Sequence, residues 1–174
     1  GPDAVPDTES GPPDRQSTPV GRMAGSAAHM PVTAALAAEL ADAGLLAHRR
    51  IVVSLVLEPK TSVLARALRD AGAEPILFAN CVETDTAVAA ELRAQGFAVH
   101  APVSPVAESD QAAVDRAHAL AALDAEPELL IDDGAQLIRL AHLERPRVLD
   151  GLIAAAEETT SGVRALELMG SALR

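Results

Sequence analysis

Four short clusters gather side chains that could do chemistry. Glu58, Lys60 and Thr61 stand in LVLEPKTS, and Asn80, Glu83, Thr84 and Asp85 in ANCVETD. Asp132 and Asp133 close ELLIDD, and Glu157, Glu158, Thr159, Thr160 and Ser161 fill the middle of AAAEETTSGV. Carboxylates so placed are candidates for general acid and base work, worth about 10²–10⁴-fold when positioned on a reacting group. Lys60 is the only lysine of the chain. An ammonium among carboxylates can bind an anionic substrate group or, once desolvated, act as base or nucleophile.

Each cluster also has a purely structural use. An Asp where a strand turns into a helix most often accepts backbone N–H bonds from the first helical turn, and this competes directly with a site role for Asp132. Asp85 reads as such a cap. Thr159 or Thr160 could cap a helix too, with the acids before them favoured by the helix dipole. Lys60 could be a solvated residue at a helix start. His142, in LIRLAHLERP, reads as a partly buried helix residue, and Cys81 as a small buried one without a reactive role.

The elements that must position these clusters alternate strictly. Arg50 to Leu57 (RIVVSLVL) is a β-branched run of the kind buried on both faces of a sheet. Further strands are predicted at EPILFAN, FAVHA, ELLIDD and, weakly, LIAAAEE. Helical spacing fills VTAALAAELADAG, TSVLARALRDAGA, DTAVAAELRAQG, SDQAAVDRAHALAALDA, GAQLIRLAHLER and TTSGVRALELMGSAL. Strand and helix in turn, with long crossovers, imply an α/β fold: a doubly wound, open parallel sheet of about five strands, flavodoxin- or Rossmann-like, with helices on both faces. In such sheets ligands bind beyond the carboxyl ends of the strands. All four clusters fall on that edge.

Composition narrows the partners. With 174 residues there is room for one ordinary domain, 26–174, behind a Pro/Gly/Ser/Asp-rich segment, 1–25, that reads as a disordered tail. A net charge of −11 argues against nucleic acid and anionic membrane surfaces. Cys81 is the only cysteine, which excludes an internal disulfide and a cysteine-based zinc site, and no metal-ligand spacing is present. No phosphate-cradling glycine loop follows a strand. No apolar run reaches the length of a membrane span and no secretory leader opens the chain, so a cytoplasmic protein is expected.

Two motifs in order, LLIDDGAQLIRLAHLERP and AAAEETTSGV, resemble the adenosylhomocysteinase (S-adenosylhomocysteine hydrolase) family. That family carries Asp-Asp-Gly-Gly-Asp and Glu-Glu-Thr-Thr-Thr-Gly-Val at these places. The resemblance extends through RIVVSLVLEPKTSVLARALRDAGAEP and covers about residues 20–169, the family's substrate-binding domain. It implies that Asp133 and Glu158 contact the ribose of a nucleoside ligand and assist catalysis. It also implies that Thr159, Thr160 and Ser161 face the place where the family holds its nicotinamide cofactor, and that Asn80 matches the Asn of a Cys-Asn turn. There are departures. Val56 stands for a substrate-contacting His, Glu58 for an adenosine-contacting Thr, and Lys60 for a Glu or Gln; Ala135 and Gln136 replace Gly and Asp.

Lys60, Asp133 and Glu158 are therefore the candidate catalytic residues, with Glu58, Thr61, Asn80, Asp132, Thr159 and Thr160 as candidate ligand contacts. No cofactor is expected to be held by this chain alone, because the family's NAD-binding domain has no counterpart in it. Three readings stand. The chain is a module binding adenosine, S-adenosylhomocysteine or a relative, not competent alone for hydrolysis; or a repurposed enzyme of specialised metabolism using Glu58, Lys60, Asp133 and Glu158; or a non-catalytic interaction subunit. A nucleoside-like small molecule is the expected partner. Self-association or a protein partner is expected at the EETTSGV edge.

Overall fold

In the computed structural model the described residues are 42–132, 136–156, 167 and 170–171. The tail 1–25, most of the helix predicted at Val32–Gly44, and Asp133, Glu158, Thr159 and Thr160 lie outside them.

Five strands form one parallel sheet: β1 (Arg50–Ser54), β2 (Glu74–Phe78), β3 (Ala98–His100), β4 (Leu129–Asp132) and β5 (Ala154–Ala156), in the order β3-β2-β1-β4-β5. The class expected from the alternation of elements is the one found. β1 is central and buried after its first residue, as its β-branched run requires. Its side chains alternate. Ile51 and Val53 enter one core with Leu64, Leu68 and Leu92, while Val52 enters the other with Phe78, Leu123 and Leu137.

Helices α1 (Pro59–Asp70) and α2 (Thr86–Ala94) supply the first of these cores. Helices α3 (Glu108–Asp124), α4 (Gln136–Glu144) and α5 (Pro146–Gly151) supply the second. The connection leaving β1 thus runs over one face and the connection leaving β4 over the other. Between the ends of these two neighbouring strands the strand order reverses, and a crevice follows from that geometry.

Helices α1 and α2 stop in the same way. Gly72 and Gly96 have φ of 91° and 89°. Gly72 N–H donates to Arg69 O and Ala73 N–H to Leu68 O; Gly96 N–H donates to Arg93 O and Phe97 N–H to Leu92 O. This paired 5→2 and 6→1 bonding is the Schellman stop, whose left-handed residue glycine adopts without strain. The residues at the positions of its apolar contact, Leu68 with Ala73 and Leu92 with Phe97, are all buried in one core. The stops also touch: the Arg69 guanidinium lies 3.9 Å from the centroid of the Phe97 ring and donates to Gln95 O at 2.7 Å.

Candidate functional site

The crevice starts from a strand pair. Ser54 and Asp132, the last residues of β1 and β4, are register partners. Asp132 is fully buried. Its Oδ2 accepts the Ile138 N–H of the first turn of α4 at 3.0 Å, so the structural use of this aspartate as a helix-turn acceptor is realised. Its Oδ1 has no hydrogen-bond partner among the described residues. Burial raises its pKa above the ordinary aspartate value, against the opposing pull of the Ile138 N–H, the Ser54 hydroxyl and the Leu137 N–H. A carboxyl held partly toward its neutral form in this way can donate as well as accept a hydrogen bond.

Beyond Ser54 the chain runs on to α1 along a fixed path. Leu57 N–H donates to Glu83 O at 2.8 Å and Asp85 N–H to Leu57 O at 3.0 Å, which pins the β1 exit to the β2 exit. Glu58 occupies the cap position of α1 in extended backbone, with Pro59 opening the helix, but its carboxylate makes no cap bond. Lys60 follows in the first turn, and both residues are partly buried. Thr61 is buried, and its hydroxyl donates to the Val56 carbonyl oxygen. That bond fixes the EPKT turn and occupies the Thr61 proton.

The β2 exit carries Asn80 and a 3₁₀ turn, Cys81–Glu83. Thr84 Oγ1 donates to Asn80 O at 2.7 Å and anchors this backbone. The Asn80 side chain meets Gln136, the first residue of α4, in a reciprocal amide pair: Asn80 Nδ2 donates to Gln136 Oε1 at 3.1 Å, and Gln136 Nε2 to Asn80 Oδ1 at 3.3 Å. Because β1 lies between β2 and β4, this pair spans the exit of β1. Gln136 is absent from the candidate site residues read in the sequence. Its one mark there is its position just after the Asp-Asp-Gly turn, where the resembled family carries Asp.

Asp85 is a cap, as expected, with Oδ1 accepting the Ala87 and Val88 N–H groups at 3.0 and 3.3 Å. Cys81 N–H donates to Asp115 Oδ1 at 2.8 Å. Burial first, and the hydrogen bond to Asp115 second, push its thiol up to about 11, which leaves almost no thiolate at neutral pH. His142 corrects the expectation of partial burial: it is exposed, in the last turn of α4. Asp133, Glu158, Thr159 and Thr160 lie outside the described residues, and the last three follow closely after β5 in sequence. The carboxyl edge therefore brings together Ser54, Glu58, Lys60, Thr61, Asn80, Asp132 and Gln136.

Among the described residues no group of three or more His, Cys, Asp or Glu side chains could hold a metal ion, and no helix is long and apolar enough to cross a membrane. A cleft of about 560 Å³ opens at the opposite, amino-terminal edge of the sheet, with Arg50, Asp124, Glu126, Glu144 and Arg145 in its walls. Most of these groups are already spoken for. Arg145 pairs with Asp124 at 2.7 Å, Arg116 with Glu144 at 2.6 Å, and Arg50 Nε donates to Glu126 O at 2.8 Å. This belt of ion pairs and a hydrogen bond links α3 to the end of α4 and to Arg145 just after it, and ties β1 to the chain that follows α3. None of the sequence-derived site residues belongs to it.

Comparison with known proteins places the chain in a family. The model of the S-adenosyl-L-homocysteine hydrolase family matches residues 20–161. An S-inosyl-L-homocysteine hydrolase of Methanothermobacter thermautotrophicus is 35% identical over 144 residues, covering 82% of this chain and 33% of the relative. An adenosylhomocysteinase of Thermotoga maritima is 33% identical over 142 residues, covering 81% of this chain and 34% of the relative. An S-inosyl-L-homocysteine hydrolase of Methanopyrus kandleri is 36% identical over 142 residues, 81% of this chain and 32% of the relative. The chain thus spans about a third of the length of the curated relatives it matches.

Proposed function

Because the chain belongs to the S-adenosyl-L-homocysteine hydrolase family, we propose that it binds a nucleoside–homocysteine thioether at the carboxyl edge of its sheet, with a preference for a 6-oxopurine base. The observation that carries this reading is the pair Glu58 and Lys60 at the start of α1, on the chain that leaves β1 just after Ser54, the register partner of Asp132. Adenine presents a donor at its 6-amino group and an acceptor at N1. Hypoxanthine presents the reverse, an acceptor at O6 and a donor at N1–H. An ammonium only donates and a carboxylate only accepts, so with Lys60 facing position 6 of the base and Glu58 facing position 1 the pair complements hypoxanthine and opposes adenine. The exchanged placement would do the reverse, and it is the first that we assign. Two of the three relatives named above are called S-inosyl-L-homocysteine hydrolases, in agreement with that pattern.

Asp132, with its raised pKa and its buried Oδ1 unpartnered among the described residues, and the neutral groups Ser54, Asn80 and Gln136 suit an uncharged, hydroxyl-bearing part of the ligand. Turnover needs more than these groups. In this family's reaction a nicotinamide cofactor supplies the hydride chemistry and the protein orients it. A positioned carboxylate alone supplies about 10²–10⁴-fold, too little to remove an unactivated ribose hydrogen. We therefore expect the 174-residue chain to bind without releasing homocysteine.

Calorimetric titration tests the reading. S-inosyl-L-homocysteine should bind at least about tenfold tighter than S-adenosyl-L-homocysteine, the scale of a misplaced charged hydrogen bond. Lys60→Gln, whose amide can donate or accept, should collapse that preference. Absence of binding by either compound at about millimolar concentration, where even weak sites register, would overturn the proposal.

A further inference from the structure

We propose that Gln136 is a positioning residue of this site, and that the Asn80–Gln136 amide pair is a neutral clasp that fixes the Asn80 side chain for the ligand. The proposal rests on the ligand reading above and assigns a role to a residue outside the family's motif match. The geometry is specific. Two bonds, 3.1 and 3.3 Å, run in opposite directions between the same two side chains. The pair joins residues 56 positions apart, from the exits of the two strands that flank β1.

A reciprocal pair does what a single bond cannot. A primary amide has two N–H donors and a carbonyl oxygen with two lone pairs. One donor and one lone pair of Asn80 are committed to Gln136, so turning the Asn80 amide over would break both bonds and set like ends against each other. The remaining N–H and lone pair are left facing fixed directions at the exit of β1, where Ser54 and Asp132 end their strands. The backbone below is equally held, since Asn80 O accepts the Thr84 hydroxyl.

The residue type matters. An Asp at position 136, as the resembled family carries, is shorter by a methylene. When ionised it can only accept, so it could take the Asn80 Nδ2 proton but return nothing to Asn80 Oδ1. Gln136 completes the second bond without adding a charge near the buried Asp132 carboxyl. The clasp is accordingly insensitive to pH in itself, and it passes on to the ligand a fixed donor and a fixed acceptor.

The test has two arms. In the ligand-free protein, NMR should show the two Asn80 side-chain amide protons as distinct and slowed in exchange; Gln136→Ala should remove that protection while the backbone spectrum keeps its dispersion. In titrations with S-inosyl-L-homocysteine, Gln136→Ala and Asn80→Ala should each weaken binding by roughly threefold to tenfold. The double variant should be no weaker than Asn80→Ala, because Gln136 acts through Asn80. Gln136→Glu keeps one of the two bonds and should fall between wild type and Gln136→Ala. Unprotected Asn80 protons in the wild type, equal affinity of wild type and Gln136→Ala, or additive losses in the double variant would each overturn the proposal. A wild type with protected Asn80 protons but no binding would instead overturn the ligand reading and, with it, the clasp's part in recognition.

Discussion

Asp132 shows how one residue can carry a structural and a site role together. Its Oδ2 ties β4 to the first turn of α4, and its Oδ1 is buried without a hydrogen-bond partner among the described residues. Asp132→Ala removes the acceptor and leaves a buried N–H without a partner, a cost of about 1–3 kcal/mol in urea unfolding. Asp132→Asn keeps an acceptor for that N–H and should lose much less. The raised pKa has a definite sign. In the range above the ordinary aspartate value the folded chain holds a proton that the unfolded chain has released, so this group's contribution to stability shrinks as pH rises, and Asp132→Asn should flatten that part of the profile.

The histidines have the opposite sign. His100 ends β3 and faces His118 of α3 and Arg93 of α2; His118 also faces Arg93 and Asp115. Burial foremost, and the nearby positive charges after it, lower both pKa values, and His118 Nδ1 is buried without a hydrogen-bond partner among the described residues. Between the ordinary imidazole value and these lower ones the unfolded chain takes up protons that the folded chain refuses. Stability is therefore lost as pH falls from above the ordinary imidazole value to below it. His118→Gln should reduce the loss in paired urea titrations at the two ends of that range. An unchanged difference would sink this assignment.

At the scale of elements, periodicity and stop residues made most of the fold legible. The β-branched run of β1 announced a strand buried on both faces, and Gly72 and Gly96 marked the ends of α1 and α2. The Schellman geometry gives these glycines a measurable worth. A Cβ at Gly96 would meet nothing within 4 Å, and at Gly72 only Ala47 at 3.5 Å. Gly96→Ala and Gly72→Ala should each cost about 1–2 kcal/mol from the left-handed backbone alone, read as equal shifts in urea midpoint. A much larger loss at either one would mean that packing, not φ, governs the stop. Helix α5 was hidden. Helical spacing over GAQLIRLAHLER ends just before Pro146, which alone reads as a stop, yet the same proline opens a six-residue helix at its first position, since its ring favours helical φ and its missing N–H is not needed there. A proline alone does not say on which side of it the helix lies.

For the whole molecule, the position of the candidate site could be read before any coordinate because strand order reversal places ligands at one edge of every sheet of this class. Glu58, Lys60, Asn80 and Asp132 reach that edge through local sequence alone, each sitting just past a strand. Gln136 was not legible, because its partner is 56 residues away and no local pattern encodes an amide pair between two loops. Thr61 was legible as a position and not as a role, since its bond to the Val56 carbonyl arises from the turn of the EPKT loop. At the opposite edge, the ion-pair belt around Arg50, Arg145 and Asp124 consists of polar groups that satisfy one another, with about 560 Å³ of cleft between them. The molecule thus has a proposed recognition edge and, opposite it, a structural edge. The most direct test is an NMR titration of the isotope-labelled chain with S-inosyl-L-homocysteine, following backbone and side-chain amides. Saturable shifts are predicted at Ser54, Glu58, Lys60, Thr61, Asn80, Asp132 and Gln136 on the recognition edge. Shifts centred on Arg50, Arg145 and Arg147, or none at saturating ligand, would contradict it.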